Sequence, residues 1–360
     1  MKKKNIFEGY LNIARNHTPV LWSIPFDNRR DHYEFPKDLI LKYHLVSGAR
    51  VKCGIEDGKI NKIISVCDLK PEKFATRAEF SKLLPLNPTE KFDFGSSESV
   101  SIRILDLIVP IGKGTRGLIV SPPRAGKTML LEAIANDLHR IDSNLKVIIL
   151  LIDERPEEVT SFIMNTKAHV FHSSLDKGTT SHIVLSSFLI NHVRTEVECG
   201  NNVVILIDSL TRMGRAYNIS DRNSNNRIMS GGLSAGALEL PRKLFGIARN
   251  IENGGSCTII ATILKDTGSR MDEVIFQEFK GTGNCEIILD REIAEKRVFP
   301  AINITESGTR KEELLHSPEE IDKINAIRRD LMQIDKVAAI SKIKQMIDQY
   351  KSNHELLKEY

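Results

Sequence analysis

Five nearly unbroken apolar runs constrain this chain most: RGLIVSP, KVIILLID, NVVILIDS, CTIIATIL and CEIILDR, all within residues 116–291. A strand with one wet face alternates polar and apolar side chains. These runs therefore predict strands buried on both faces, as in a mostly parallel sheet covered by helices. Amphipathic stretches between several of them supply the helices, so the chain from about residue 100 onward reads as α/β. The segment EEIDKINAIRRDLMQIDKVAAISKIKQMIDQY near the end has apolar positions at helical spacing and reads as packing helices.

Residues 5–70 have a different character. TPVLWSI, ARVKCGI and KINKIISV are short β-like runs bounded by turn signals at Ser47-Gly48 and Asp57-Gly58, and EFPKDLILKYHL between them reads as a short helix. That spacing suits a small five-stranded barrel over residues 1–70. Residues 71–99, with Pro71, Pro85, Pro88 and GSSES, read as a linker, which leaves 100–360 as the larger domain. Residues 1–70 hold 13 Lys and Arg against 8 Asp and Glu, a net +5, while the whole chain carries +4. That balance permits a polyanionic partner without requiring one. Five scattered cysteines with no C-x-x-C pair argue against a disulfide framework or a zinc site. No apolar run has membrane-spanning length, and MKKKNIFEGY lacks the apolar core of a signal peptide, so a cytoplasmic protein is expected.

SPPRAGKTML, at 121–130, follows the first apolar run and ends in the Gly126-Lys127-Thr128 of a phosphate-binding loop, with Ser121 where the first glycine usually stands. A helix opening near Gly126 would aim free amides at an anion, with Arg124 and Ala125 in the preceding turn. Lys127 would reach the β- and γ-phosphates of ATP, and Thr128 would hold Mg²⁺. Asp208 ends NVVILID, where a carboxylate would bind that Mg²⁺ through water. Glu154 ends another strand and is the candidate water-activating base. Each carboxylate has a plainer reading, Asp208 as a turn cap and Glu154 as a surface ion-pair member. The three features in the right order make coincidence improbable. GKGTRG (Gly112, Lys113, Gly114, Thr115, Arg116, Gly117) precedes the loop strand and reads equally well as a phosphate edge or a strand-entry turn.

The blocks GLIVSPPRAGKTMLLEAIA, LLIDERPEEVT, LIDSLTRMGRAYN, DTGSRMDEVIFQEFKGTGN and EKRVFPAINITESGTRKEELL resemble the bacterial transcription termination factor Rho family across nearly all of residues 100–315. That family carries a small residue followed by two prolines at the start of its loop, as Ser121-Pro122-Pro123 do here. The resemblance implies a RecA-like P-loop ATPase with an OB- or cold-shock-like barrel in front. It further implies a homohexamer that translocates along single-stranded RNA with ATP and acts on RNA polymerase and its elongation factors. It assigns Arg310 and Arg297 to charge neutralisation across a subunit boundary. Met129 and Arg155 are assigned to nucleotide contact and Phe299 to packing near the base. DRNSNNRIMSGG, with Arg227, and KDTGSRMDE, with Lys265, Thr267, Gly268, Ser269 and Arg270, correspond to the family's RNA-gripping loops.

The N-terminal part departs from the family. HTPVLW replaces its aromatic-rich stretch, GKINKII lacks its tyrosine, Tyr33 alone stands at a plausible stacking position, and little chain precedes the barrel for the family's helical segment. Base stacking contributes roughly 1–3 kcal/mol per base, so reduced base preference is expected. The remaining alternatives are another RecA-like ring, such as a DNA helicase or rotary ATPase, and a nucleic-acid-binding ring with a vestigial ATPase. His169 and His172 have no third ligand in sequence and read as ordinary histidines.

Overall fold

The computed structural model describes residues 5–13, 17–24, 31–222, 228, 230–234 and 236–360. Arg227 lies outside the described residues.

The N-terminal unit is a five-stranded antiparallel sheet of β1 (Asn5–Asn12), β2 (Val20–Trp22), β3 (His32–Glu34), β4 (Arg50–Glu56) and β5 (Lys59–Val66), in the order β3-β2-β1-β4-β5. Helix α1 (Lys37–Tyr43) lies between β3 and β4 and ends on His44 in the left-handed region. Leu11, Leu21, Val51, Cys53, Ile55, Ile60 and Val66 form its core with Phe35 and Phe74. Period-two alternation places Leu11 and Phe7 on the core side of β1, while Tyr10 points out and packs against Phe171 and His192 of the second unit.

Residues 71–99 are not a free tether. They contain α2 (Pro71–Ala75), whose Phe74 completes the core of the five-stranded sheet, and β6 (Pro85–Leu86), which pairs antiparallel with residues 250–251 of the large sheet. Phe80, Phe92 and Phe94 are buried in the second unit. Aromatic side chains at this spacing cannot stay in water cheaply, so the segment is held flat.

The second unit alternates α3 (Val100–Ile108), β7 (Arg116–Ser121), α4 (Lys127–Ile141), β8 (Lys146–Glu154), α5 (Pro156–Asn165), β9 (His169–Ser174), α6 (Thr179–Glu198) and β10 (Asn202–Asp208). Then come α7 (Leu210–Arg222), α8 (Glu239–Phe245), β11 (Arg249–Ile251), β12 (Ser256–Leu264), α9 (Arg270–Lys280), β13 (Cys285–Ile288), α10 (Arg291–Glu295) and β14 (Gly308–Thr309). Three helices close the chain: α11 (Pro318–Met332), α12 (Lys336–Asp348) and α13 (Asn353–Glu359). Strands β13, β7, β12, β10, β8 and β9 lie side by side and parallel, and β14 pairs antiparallel on the β13 edge. All five apolar runs are central strands with buried residues facing two apolar layers, one under α3, α4 and the closing helices, the other under α6–α9. This sets the carboxyl ends of β7, β12, β10 and β8 next to one another, where ligands bind in open parallel sheets.

Candidate nucleotide site

The turn after β7 is shaped by two left-handed residues, Arg124 (φ 66°) and Gly126 (φ 89°), the second capping α4. A Cβ on Gly126 would come within 3.3 Å of the Phe299 ring, so only glycine lets that ring lie against the loop. The Lys344 ammonium donates to the Phe299 carbonyl at 3.0 Å, tying α12 to the same corner. Met129, in the first turn of α4, is 64 % exposed, which leaves a large apolar side chain beside the loop without cover. Arg124 and Arg155 are also exposed, and neither side chain makes an ion pair or hydrogen bond among the described residues.

Strand β12 separates β7 from β10, and Lys127 reaches across it. Its Nζ donates to Asp208 Oδ1 at 2.8 Å and Oδ2 at 2.6 Å, and Thr262 of β12 donates its hydroxyl to Asp208 Oδ1 at 2.8 Å. Asp208 is fully buried, so these donors replace its hydration shell.

Glu154 owes its position to a bulge. Ile152 pairs with Ser173 and Glu154 with Ser174, so Asp153 is the extra residue, and it adopts φ 57°. A bulge re-aims the side chain that follows it, and here it turns Glu154 inward to full burial. Arg212, one turn into α7, donates to the Asp153 carbonyl at 2.6 Å and pairs with Glu154 Oε1 at 2.8 Å. The other oxygen, Oε2, is buried without a protein partner. Burial first, then the Asp208 carboxylate, push Glu154 up to about 7, and Arg212 and Lys127 pull the other way. A buried carboxylate poised near neutrality beside a bound-phosphate position is suited to take a proton from water. Sequence reasoning assigned no role to Arg212 or Thr262. The arginine four residues beyond Asp208 at the start of a helix was the available signal for the first; nothing local marked the second.

The other expected residues fall in three places. Arg297 (φ 58°) follows α10 on the Phe299 side and is exposed, with no side-chain partner among the described residues. Arg310 follows β14 at the opposite end of the sheet. Its N–H donates to Asn284, whose own N–H donates to Arg116 at the start of β7. One six-residue strand, about 20 Å, separates that point from the chain's own phosphate loop. Its side chain is exposed and unpartnered among the described residues. GKGTRG shares this far end. Lys113 pairs with Glu90, Gly112 donates to Thr115 Oγ1, and Gly114 (φ 95°) presses against the backbone of Asn250. Within one chain, then, 112–117 is a strand-entry turn that does not meet the loop at 121–128.

The two expected RNA-gripping segments are neighbours. Gly231 packs against the Arg270 backbone, and Asn218 ties the returning chain through Gly232 and Ser234. In the second segment the Thr267 hydroxyl donates to Asp272, and Ser269 caps α9. Lys265, Gly268 (φ 76°) and Arg270 are left facing a cavity lined by residues 264–270, Asp272 and Glu273. On the five-stranded sheet, Tyr33 meets Phe7 edge-on at 4.8 Å, and Trp22 stacks on His32 at 5.0 Å. Phe7 was not picked out from sequence, because Glu8 and Gly9 beside it obscure the strand.

The ATP synthase alpha/beta family, nucleotide-binding domain, matches residues 101–309. A transcription termination factor Rho from Streptobacillus moniliformis is 48 % identical over 82 % of this chain and 71 % of its own length. One from Akkermansia muciniphila is 42 % identical over 99 % and 80 %. Among solved structures, a prototypical ATPase from the type III secretion system of pathogenic bacteria superposes with a TM-score of 0.63 at 22 % identity, covering 77 % of this chain and 85 % of that one. This last likeness concerns the fold.

Proposed function

The chain belongs to the transcription termination factor Rho family, and from that premise we propose that this Rho-type terminator is an RNA-stimulated, Mg²⁺-dependent ATPase working as a ring, most simply a homohexamer. The observation that carries the reading is the position of Arg310, its side chain without a partner among the described residues and one strand length from its own phosphate loop. An arginine there serves catalysis only at a neighbour's site, where it would offset charge developing on the γ-phosphate. GKGTRG lies at the same end and would face the same neighbouring nucleotide.

Within one subunit, the loop amides, Arg124 and Lys127 bind the phosphates, and Phe299 and Met129 flank the base. Arg155 is free to contact the nucleotide, as Arg297 is from the other side. Glu154 accepts a proton from the attacking water, held in place by Arg212. The residues present fit a divalent cation, since Asp208 and Thr128 offer oxygen ligands and Glu154 Oε2 is a buried acceptor without a donor. Mg²⁺ held by Thr128 and Asp208 would supply charge neutralisation on the phosphates. Lys127, now on Asp208, is then released to the phosphates.

The N-terminal unit fits an OB-type barrel, from its strand order and the helix between β3 and β4. The half-buried Phe7–Tyr33 pair offers one aromatic platform, and the basic balance of residues 1–70 supports salt-dependent RNA binding. Lys265, Gly268 and Arg270, with Arg227 and the neighbouring loop, would grip RNA in the channel. RNA polymerase and its elongation factors are the partners this reading implies, in a cytoplasmic setting. No described helix is long and apolar enough to cross a membrane. Steady-state ATP hydrolysis alone and with poly(C), poly(U) and single-stranded DNA tests the proposal. RNA-selective stimulation supports it, and equal rates with and without every polymer would overturn it.

A further inference from the structure

The two units meet along a polar seam. Arg50 of β4 donates Nε to Glu196 of α6 at 2.9 Å and also pairs with Glu8 and Asp68. Asp68 pairs in turn with Lys146, and His192 bonds the Gly48 carbonyl at 2.8 Å. At the end of this seam lie two cysteines that belong to different units. Cys67 follows β5, is 1 % exposed and forms part of the barrel core. Cys199 caps the carboxyl end of α6, is half-buried and packs against that same core. Asn201, two residues beyond Cys199, reaches the Cys67 carbonyl, which brings the two cysteines together across the seam.

Their backbones are held in place from both sides. The Cys67 N–H donates to the Arg50 carbonyl at 2.8 Å, and the Asn201 side chain donates to the Cys67 carbonyl at 3.1 Å and to Glu196 at 2.6 Å. Cys53, Cys257 and Cys285 are buried elsewhere in strands. A half-buried thiol packed against the core that holds a buried one is the arrangement of a redox-sensing pair, with one sulfur reached by oxidant and the other resolving it.

We propose that Cys67 and Cys199 form a reversible disulfide that fastens the N-terminal unit to the ATPase unit when the protein meets hydrogen peroxide. The accessible Cys199 sulfur attacks the peroxide, the O–O bond breaks, and a sulfenic acid and one water are formed. The Cys67 sulfur then displaces the sulfenic oxygen, and its own proton leaves with that oxygen as a second water. Two thiols are oxidised and one peroxide is reduced. Cys67 is buried and Cys199 is not, so Cys199 is the sulfur that oxidant reaches first and Cys67 the one left to resolve it. Because α6 packs on α7, which carries Arg212, the bond would pin a helix that runs from the seam toward the nucleotide site.

The test uses the full-length reduced protein, treated with a small excess of hydrogen peroxide, alkylated, digested and analysed by mass spectrometry. The expected product is a linked peptide pair carrying Cys67 and Cys199, within one chain on a non-reducing gel and fully reversed by dithiothreitol. Cys199→Ser is expected to remove it completely, and Cys257→Ser to leave its yield unchanged. The idea is overturned if Cys199 is recovered as sulfinic or sulfonic acid while Cys67 stays a thiol. A bond that joins two chains would overturn it equally. The readout on the unsubstituted protein depends neither on a variant folding nor on the proposed RNA-driven turnover, so the two readings fail separately.

Discussion

Glu154 is buried with Asp208 nearby, and its carboxyl is held at about 7, while a solvated glutamate stays near 4.5. A base must be ionised to accept a proton, so kcat/KM for ATP should rise with pH through a midpoint near that value. Glu154→Gln is expected to lower kcat by about 10²–10⁴-fold and to flatten the rise. Arg212→Met removes a charge that lowers this group, and a rate–pH profile should show the midpoint moving upward. Stability has the opposite sign. The folded-state value lies above the unfolded one, so the contribution of Glu154 is fully present below about 4.5 and is lost as pH rises through about 7. Urea melts should therefore find Glu154→Gln gaining on the parent at pH 8 relative to pH 4. The strand-end acid itself was legible, since an acidic residue closes an apolar strand in sequence. The bulge at Asp153 that aims it was not, because an extra residue in one strand is defined only against its partner.

At the scale of elements, legibility follows burial on two faces. The five strands walled in by helices could be read directly, because their runs are nearly unbroken apolar residues buried on both faces. Strand β9 (HVFHSS) was not identified, since it lies at the sheet edge and exposes His169 and His172. Strand β1 was missed for a different reason. Its outward Tyr10 is buried only because the second unit covers it, and no local pattern records a neighbour 160 residues away. The later helices, from α9 on, begin at side-chain caps with ordinary chemistry. Ser317 and Glu320 form a reciprocal capping box at the start of α11. Ser317→Ala should cost about 1 kcal/mol, measurable as a lower denaturation midpoint with unchanged ATP turnover.

Across the whole molecule, the seam makes one body of what the sequence presents as a barrel, a linker and a motor. Glu196 is fully buried, and Arg50 is its cationic partner. Removing one partner of a buried pair typically costs 3–5 kcal/mol. Arg50→Met is thus expected to lower Tm and to split a single calorimetric transition into two, with the barrel melting first. The family resemblance pointed to Arg310, and its position gives the larger prediction. Arg310→Ala should reduce turnover by about 10³–10⁵-fold, and so should Lys127→Ala, yet mixing the two inactive proteins should restore measurable hydrolysis. On the proposed ring no subunit would own a complete site, because the loop and the arginine of one chain would serve different nucleotides. Each defective copy in a mixed population spoils two sites, so activity should fall faster than the fraction of good chains. A compound that only wedges neighbours apart would silence the motor without ever competing with ATP.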